Sequence, residues 1–111
     1  MSAHLTDSAV FGHLWGTDET RAIFSDEGRL RAWLDLLDSL AAAQADAGLV
    51  PRDAAESIHE AVTDWLPDPA EVGALTRATG HSTLGLIRVL EERLPEMSRE
   101  WVYYGATVQD L

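Results

Sequence analysis

Leu30, Trp33, Leu34, Leu37, Leu40 and Ala41 recur at three- and four-residue spacing, and this period constrains the fold more than any other feature of the chain. Side chains so spaced line one face of an α-helix, and a helix with one apolar face must bury it. Ser25 stands where the first free N–H groups need an acceptor, and Asp26 and Glu27 put negative charge at the positive end of the helix dipole. Gly48 closes the run as the glycine that turns the chain after the last helical residue. Asp35, Asp38 and Asp46 lie off the stripe.

Three further helices follow by the same logic. Pro51 restarts the chain, Asp53 and Glu56 are spaced like a capping box, and Ile58, Ala61, Val62 and Trp65 give the second helix its apolar face. Leu66-Pro67-Asp68-Pro69 is a break too short to separate two cores. Asp68 as cap, Pro69 at the first helical position and Glu71 announce a third helix that ends near Thr79-Gly80. The fourth runs from about Ser82 to Leu94, with Leu84, Ile87, Leu90 and Leu94 inward, and Pro95 stops it.

Before these helices, residues 1–16 read as irregular, with Gly12 and Gly16 flanking an aromatic knot of Phe11, Leu14 and Trp15, and Thr17 caps a short turn reaching Phe24. Only Trp101-Val102-Tyr103-Tyr104 alternates like a strand. The expected architecture is all-α: one domain over 1–111, four main helices, an irregular N-terminus and a C-terminal loop. Thr107 and Asp110 are spaced as a cap and its first-turn carboxylate, so a helix begins where the sequence ends at Leu111. The expectation is a piece of a longer protein.

Composition narrows the function classes. A chain of 111 residues with 46% apolar residues can bury a core. Its net charge of -11 repels phosphate backbones and anionic lipid, which argues against nucleic acid and membrane surfaces as partners. Without cysteine there is neither disulfide nor thiolate zinc site, and His4, His13, His59 and His81 share no metal-ligand spacing. No signal peptide or membrane span is visible, so a cytoplasmic protein is expected.

Three stretches, taken in order, resemble one family. Ile23-Phe24-Ser25-Asp26-Glu27-Gly28-Arg29-Leu30 leading into Trp33-Leu34-Asp35 is similar to the first long helix of the adenylosuccinate lyase and 3-carboxy-cis,cis-muconate cycloisomerase branch of the fumarase/aspartase superfamily. Gly80-His81-Ser82-Thr83-Leu84 resembles the first histidine motif of that branch, and Trp101 to Asp110 resembles its Gly-Ala-Thr-Ser-Gln-Asp motif. His81-Ser82-Thr83 and Gln109-Asp110 bring the cycloisomerase side nearer than adenylosuccinate lyase.

The resemblance implies a homotetramer around a central helical bundle, with active sites that draw residues from three subunits. It implies elimination, or its reverse, next to a carboxylate of a small carboxylated substrate, without metal or other cofactor. The N-terminal segment of such an enzyme lacks the second histidine region, the bundle helices and the Gly-Ser-Ser loop that carries the usual base. No catalytic residue is therefore expected in this chain, and alone it should be inactive.

Substrate-binding candidates are His81, Ser82, Thr107, Gln109 and Arg21. His81 follows a glycine at a helix start, where a ring and free N–H groups meet an anion together, although a lone histidine there is also a common cap or surface residue. Thr107 and Gln109 offer a hydroxyl and an amide to a carboxylate, and Thr107 serves equally as a cap. Asp110 is expected to hold the loop, and Arg21 is either an anion binder or a plain surface arginine. Tyr103 stands where many relatives have histidine, and Val108 where they have serine, which removes a hydroxyl from the implied pocket. The alternative is a non-catalytic acidic helical module that binds a protein partner.

Overall fold

A computed structural model describes residues 3–111 of the chain, so the first two residues of the irregular start lie outside the described residues. Six α-helices follow one another: α1 (Asp18–Phe24), α2 (Asp26–Asp46), α3 (Arg52–Val62), α4 (Pro69–Thr79), α5 (Ser82–Arg93) and α6 (Glu96–Arg99). Single 3-10 turns occupy Leu5–Asp7, Gly12–Leu14 and Val108–Asp110, and no strand occurs among the described residues. The four expected helices are α2 to α5, and the all-α architecture stands.

The longest helix, α2, is the spine. The Ser25 hydroxyl accepts the Gly28 N–H at 3.1 Å and donates to the Ala22 carbonyl at 2.8 Å, so one side chain ends α1 and starts α2. At the other end Gly48 has φ 77°, and the Gln44 carbonyl accepts the Leu49 N–H at 2.8 Å. The stripe predicted from sequence is the buried face: Leu30, Leu34, Leu37 and Ala41 pack into one core with Ile58 and Val62 of α3 and Leu86, Ile87 and Leu90 of α5. Each fully buried Leu or Ile contributes about 1.5–3 kcal/mol through apolar area removed from water. Trp33 and Leu40 border this core half-buried.

Polar side chains fasten the helix ends around that core. Arg31 pairs with Asp35 at 2.8 Å and donates to the Val62 and Trp65 carbonyls at 3.2 and 3.0 Å, which satisfies acceptors that α3 leaves free at its C-terminus. Arg93 lies 4.4 Å above the Trp65 ring and donates to the Ala61 carbonyl at 3.3 Å. Asp68 caps α4 by accepting the Ala70 N–H at 2.9 Å, and Gly80 ends it with φ 77°.

Several local expectations are corrected. Phe11, Leu14 and Trp15 form no knot and are 47, 65 and 59% exposed. Their segment is organised through its backbone instead: Arg21 donates to the carbonyls of Thr6 at 3.4 Å, of Gly16 at 3.2 Å, and of Gly12. Asp53 and Glu56 form no capping box, because α3 starts two residues earlier, with the Pro51 carbonyl accepting the Ala54 and Ala55 N–H groups at 3.1 and 3.2 Å. Leu84 is half-buried, and the inward row of α5 is Leu86, Ile87, Val89 and Leu90. Pro95 ends α5 but also opens α6, its carbonyl accepting the Ser98 N–H at 2.9 Å. The Trp101–Tyr104 stretch is a turn, in which Tyr103 has φ 64°.

The chain exposes more surface than its mass requires. Its 7340 Å2 compares with about 6,000 Å2 for a folded monomer of this size. Its radius of gyration is 16.2 Å where a compact chain of this length has about 13 Å. Much of the surplus is apolar, including Trp15, Ile23 and Phe24 near α1 and Leu36, Tyr104 and Val108 beside the C-terminal turn.

Candidate functional site

Two corners of the fold carry the candidate residues, both along α2. At the first, the α4–α5 turn brings Gly80 and His81 to the surface. The Thr79 hydroxyl donates to the Leu75 carbonyl at 2.8 Å, with the His81 carbonyl at 3.1 Å, and accepts the His81 N–H at 3.3 Å, so the turn is tied to the end of α4. His81 is the N-cap of α5 with extended dihedrals and an exposed side chain that caps nothing. The first N–H groups of α5 therefore face outward beside the imidazole, an arrangement that favours an anion.

Ser82 borders a groove of about 270 Å3 between α2 and the α4–α5 pair, together with Asp26, Arg29, Trp33 and Thr76. Arg29 makes no ion pair among the described residues, although Asp26 shares the groove. Sequence reasoning passed over Arg29. Its signal was its place in the same stretch that marks the first long helix, one turn after the Ser25 cap.

The second corner is the turn that ends the chain. Gly105 has φ 74°, a left-handed conformation in which a side chain is strained. The Asp110 carboxylate accepts the Thr107 N–H at 2.7 Å and the Thr107 hydroxyl at 3.2 Å, while the Thr107 carbonyl accepts the Asp110 N–H at 2.9 Å. Asp110 thus holds the loop. Thr107, Val108 and Gln109 are exposed, and the first N–H groups of the turn lie outside its hydrogen bonds. Val108, 39% exposed, presents an apolar surface at the position where a serine was expected in relatives.

Apolar side chains floor this corner. A groove of about 300 Å3 is lined by Leu36 and Leu40 of α2, by Tyr104, Gly105 and Ala106, and by Leu111. Gln44 closes it, its Nε2 donating to the Tyr104 carbonyl at 2.6 Å. Sequence reasoning missed Gln44 as well, because a contact spanning 60 residues leaves no local pattern.

These corners are not one pocket. The Ser82 groove meets α2 near residues 26–33 and the Thr107 turn meets it near residues 36–44, which places them about 15 Å apart along the helix axis. The structure therefore does not bring His81 and Thr107 together within this chain. Arg21 lines neither groove; it borders a separate groove of about 500 Å3 that shares Arg29 with the Ser82 groove, and its guanidinium is occupied by three backbone carbonyls and by Asp18 at 3.4 Å.

A different polar cluster stands between α2 and α3. The Asp38 carboxylate and His59 Nδ1 are 2.8 Å apart, beside a groove of about 420 Å3 that also holds Arg52, Glu56 and Glu60. Hydrogen bonding to Asp38, then its charge, raises the His59 pKa above the ordinary value. Among the described residues no group of three or more His, Asp or Glu is placed to hold a metal ion. No helix of the described residues is long and apolar enough to cross a membrane.

Comparison with known proteins identifies relatives over the whole chain. It is 32% identical over 111 residues, all of its length, to N-acetyl-S-(2-succino)cysteine lyase of Dickeya dadantii. It is 32% identical over 97 residues, 87% of the chain, to adenylosuccinate lyase of Methanocaldococcus jannaschii. It is 41% identical over 97 residues, 81% of the chain, to 3-carboxy-cis,cis-muconate cycloisomerase of Pseudomonas putida. The matches span 24, 21 and 22% of those relatives, so the chain covers about a quarter of their length or less. No family model and no solved structure matches it. With three lyase and cycloisomerase relatives on one side and three matching stretches in order on the other, the chain belongs to the fumarase/aspartase superfamily.

Proposed function

We propose that this chain is the N-terminal part of an enzyme that eliminates, or adds, a group at the carbon next to a carboxylate of a small carboxylated substrate. The observation that carries the reading is the Thr107 turn, where Asp110 fixes the backbone and leaves Thr107, Gln109 and the first N–H groups exposed above an apolar floor. Elimination next to a carboxylate builds negative charge on that carboxylate as the proton leaves, and donors held in place before the reaction stabilise it. The Thr107 hydroxyl donates to Asp110 in the resting turn, so binding a carboxylate requires its hydrogen to swing towards the substrate. His81 and the α5 N-terminus supply a second anion-favouring corner.

The names of the relatives point to carboxylated substrates: a succino-cysteine, an adenylosuccinate and a carboxymuconate. Among these the His81-Ser82-Thr83 and Gln109-Asp110 stretches support the cycloisomerase reaction, and Val108 favours a substrate with one fewer polar contact at that position. The separation of the two corners supports a site completed by other parts of a longer polypeptide and by other subunits, as in a homotetramer. The isolated chain is then inactive, and the whole enzyme works in the cytoplasm.

The test is turnover by the natural protein purified from its source cells, with its intact mass measured. A polypeptide several times longer than this chain that converts one of the three substrate types, while the 111-residue chain converts none, is the expected result. A natural protein that stops at Leu111 and converts none favours the second reading, an acidic helical module that binds a protein partner. The surplus apolar surface around Leu36, Tyr104 and Val108 is the observation in favour of that reading.

A further inference from the structure

From the Gln44 contact we infer that Gln44 is a positioning residue for the Thr107 turn, a role that rests on the reading of that turn as a substrate contact. Tyr103 and Gly105 are both left-handed, with φ 64° and 74°, so the chain reverses its hand on either side of Tyr104. For a tyrosine this conformation is unfavourable, and it persists only where the surroundings hold it. On one side of Tyr104 they do: Val102 is buried, Tyr103 packs against the core, and the Trp101 and Tyr104 rings meet at 5.0 Å.

On the other side the backbone runs out to Thr107 with little apolar burial. Its ties are the Ala106 N–H on the Tyr103 carbonyl at 3.2 Å and the Gln44 amide on the Tyr104 carbonyl at 2.6 Å. Among the described residues only the Gln44 hydrogen bond reaches another element, while Leu111, beyond the turn, packs against the core. It starts from the last turn of α2, where the Gln44 carbonyl already accepts the Leu49 N–H. The orientation of the amide is set by chemistry, because only its NH2 can face a carbonyl oxygen. Gln44 Nε2 also lies 4.0 Å from where a Cβ on Gly105 would sit, so the side chain runs close along the strained turn.

Gln44 thus converts the rigid end of α2 into a fixed height for the Tyr104–Gly105 backbone. Two residues further on, the Asp110 carboxylate orients Thr107 on that base. The Thr107 and Gln109 groups are thereby set relative to α2, not only relative to their own loop.

The experiment compares Gln44→Met and Gln44→Glu with the unsubstituted 111-residue chain by backbone order parameters, and in the natural, longer protein by inhibition with succinate. Gln44→Met keeps the length and loses the donor. Gln44→Glu regains a donor only when protonated, near and below the ordinary glutamate pKa of about 4.3. The expected result is a fall of the Gly105 and Thr107 order parameters from about 0.85 towards 0.6 in Gln44→Met, with α4 and α5 unchanged. Gln44→Glu should show that fall at neutral pH and recover at acid pH, beyond any change the unsubstituted chain shows at the same two pH values. Unchanged order at Thr107 in Gln44→Met, an equal loss across all helices, or a pH-independent Gln44→Glu overturns the inference. Succinate separates the two ideas in the natural, longer protein, whose site the other parts complete: it should inhibit turnover there, and more weakly in Gln44→Met. No effect of succinate on that protein sinks the substrate-contact reading, while the order parameters still decide whether Gln44 positions the turn.

Discussion

His59 Nδ1 on α3 and the Asp38 carboxylate on α2 lie 2.8 Å apart, a bond that joins the two helices at the rim of their shared core. The imidazole gains this partner only on folding, and its pKa rises above the ordinary 6.5 because of the Asp38 hydrogen bond and charge. A group whose folded pKa is raised stabilises the fold fully below its unfolded value, and that contribution disappears as pH climbs through the folded value. Arg52, Glu56 and Glu60 face the same groove, and Glu60 adds to the upward shift. Urea midpoints should therefore decline as pH rises from about 6 through the raised pKa. In Asp38→Asn that decline should be smaller, and an identical pH dependence in both chains would contradict the coupling.

Gly28 and Gly73 are both helical, and they should respond in opposite directions to alanine. A Cβ at Gly28 would collide with the Ala22 carbonyl oxygen and stand 2.9 Å from the Ile23 carbonyl carbon, where α1 folds back onto the start of α2. A Cβ at Gly73 meets nothing within 4 Å. Gly28→Ala should destabilise by about 2–3 kcal/mol through overpacking, and Gly73→Ala should stabilise by about 0.5–1 kcal/mol through helix propensity. Thermal or urea unfolding of the two variants checks both signs.

Surplus surface predicts association. The area beyond that of a compact monomer is about 1,300 Å2, more than the roughly 800 Å2 that each partner buries in a specific interface of standard size. Sedimentation of the chain over a wide concentration range should show a species larger than a monomer. Leu36→Glu, which puts a charge on a residue already 44% exposed, should shift it towards monomer. A monodisperse monomer at every concentration refutes this.

How much of this was legible depends on how local each cause is. The α2 stripe, the Ser25 cap and the Gly48 and Gly80 stops were readable, because period, capping and left-handed glycine all act within a few residues. The Asp53 cap failed because Pro51 offered its carbonyl two residues earlier, and sequence pattern does not fix helix starts that finely. Phe11, Leu14 and Trp15 suggested a cluster from their proximity, yet the Arg21 hydrogen bonds dictate that segment. Trp101–Tyr104 has the composition of a strand, but Tyr103 turns left-handed with its neighbours on the core. Of the candidate site, the motif residues and the Thr107–Asp110 bond were visible in the spacing. Arg29 was visible but unremarked, and the Gln44 bridge depends on tertiary contact alone.

The central claim is that His81 and the Thr107 turn contact a carboxylated substrate in an elimination enzyme. Its most direct test is kcat/KM of the natural protein, measured on a succinyl or carboxymuconate substrate for His81→Ala and Thr107→Val beside the unsubstituted enzyme. Loss of one preorganised donor costs about 100–1,000-fold in such sites, and a fall of that order in each folded variant is the predicted result. Variants that turn over substrate at the unsubstituted rate, or a natural protein that acts on no such substrate, would contradict it.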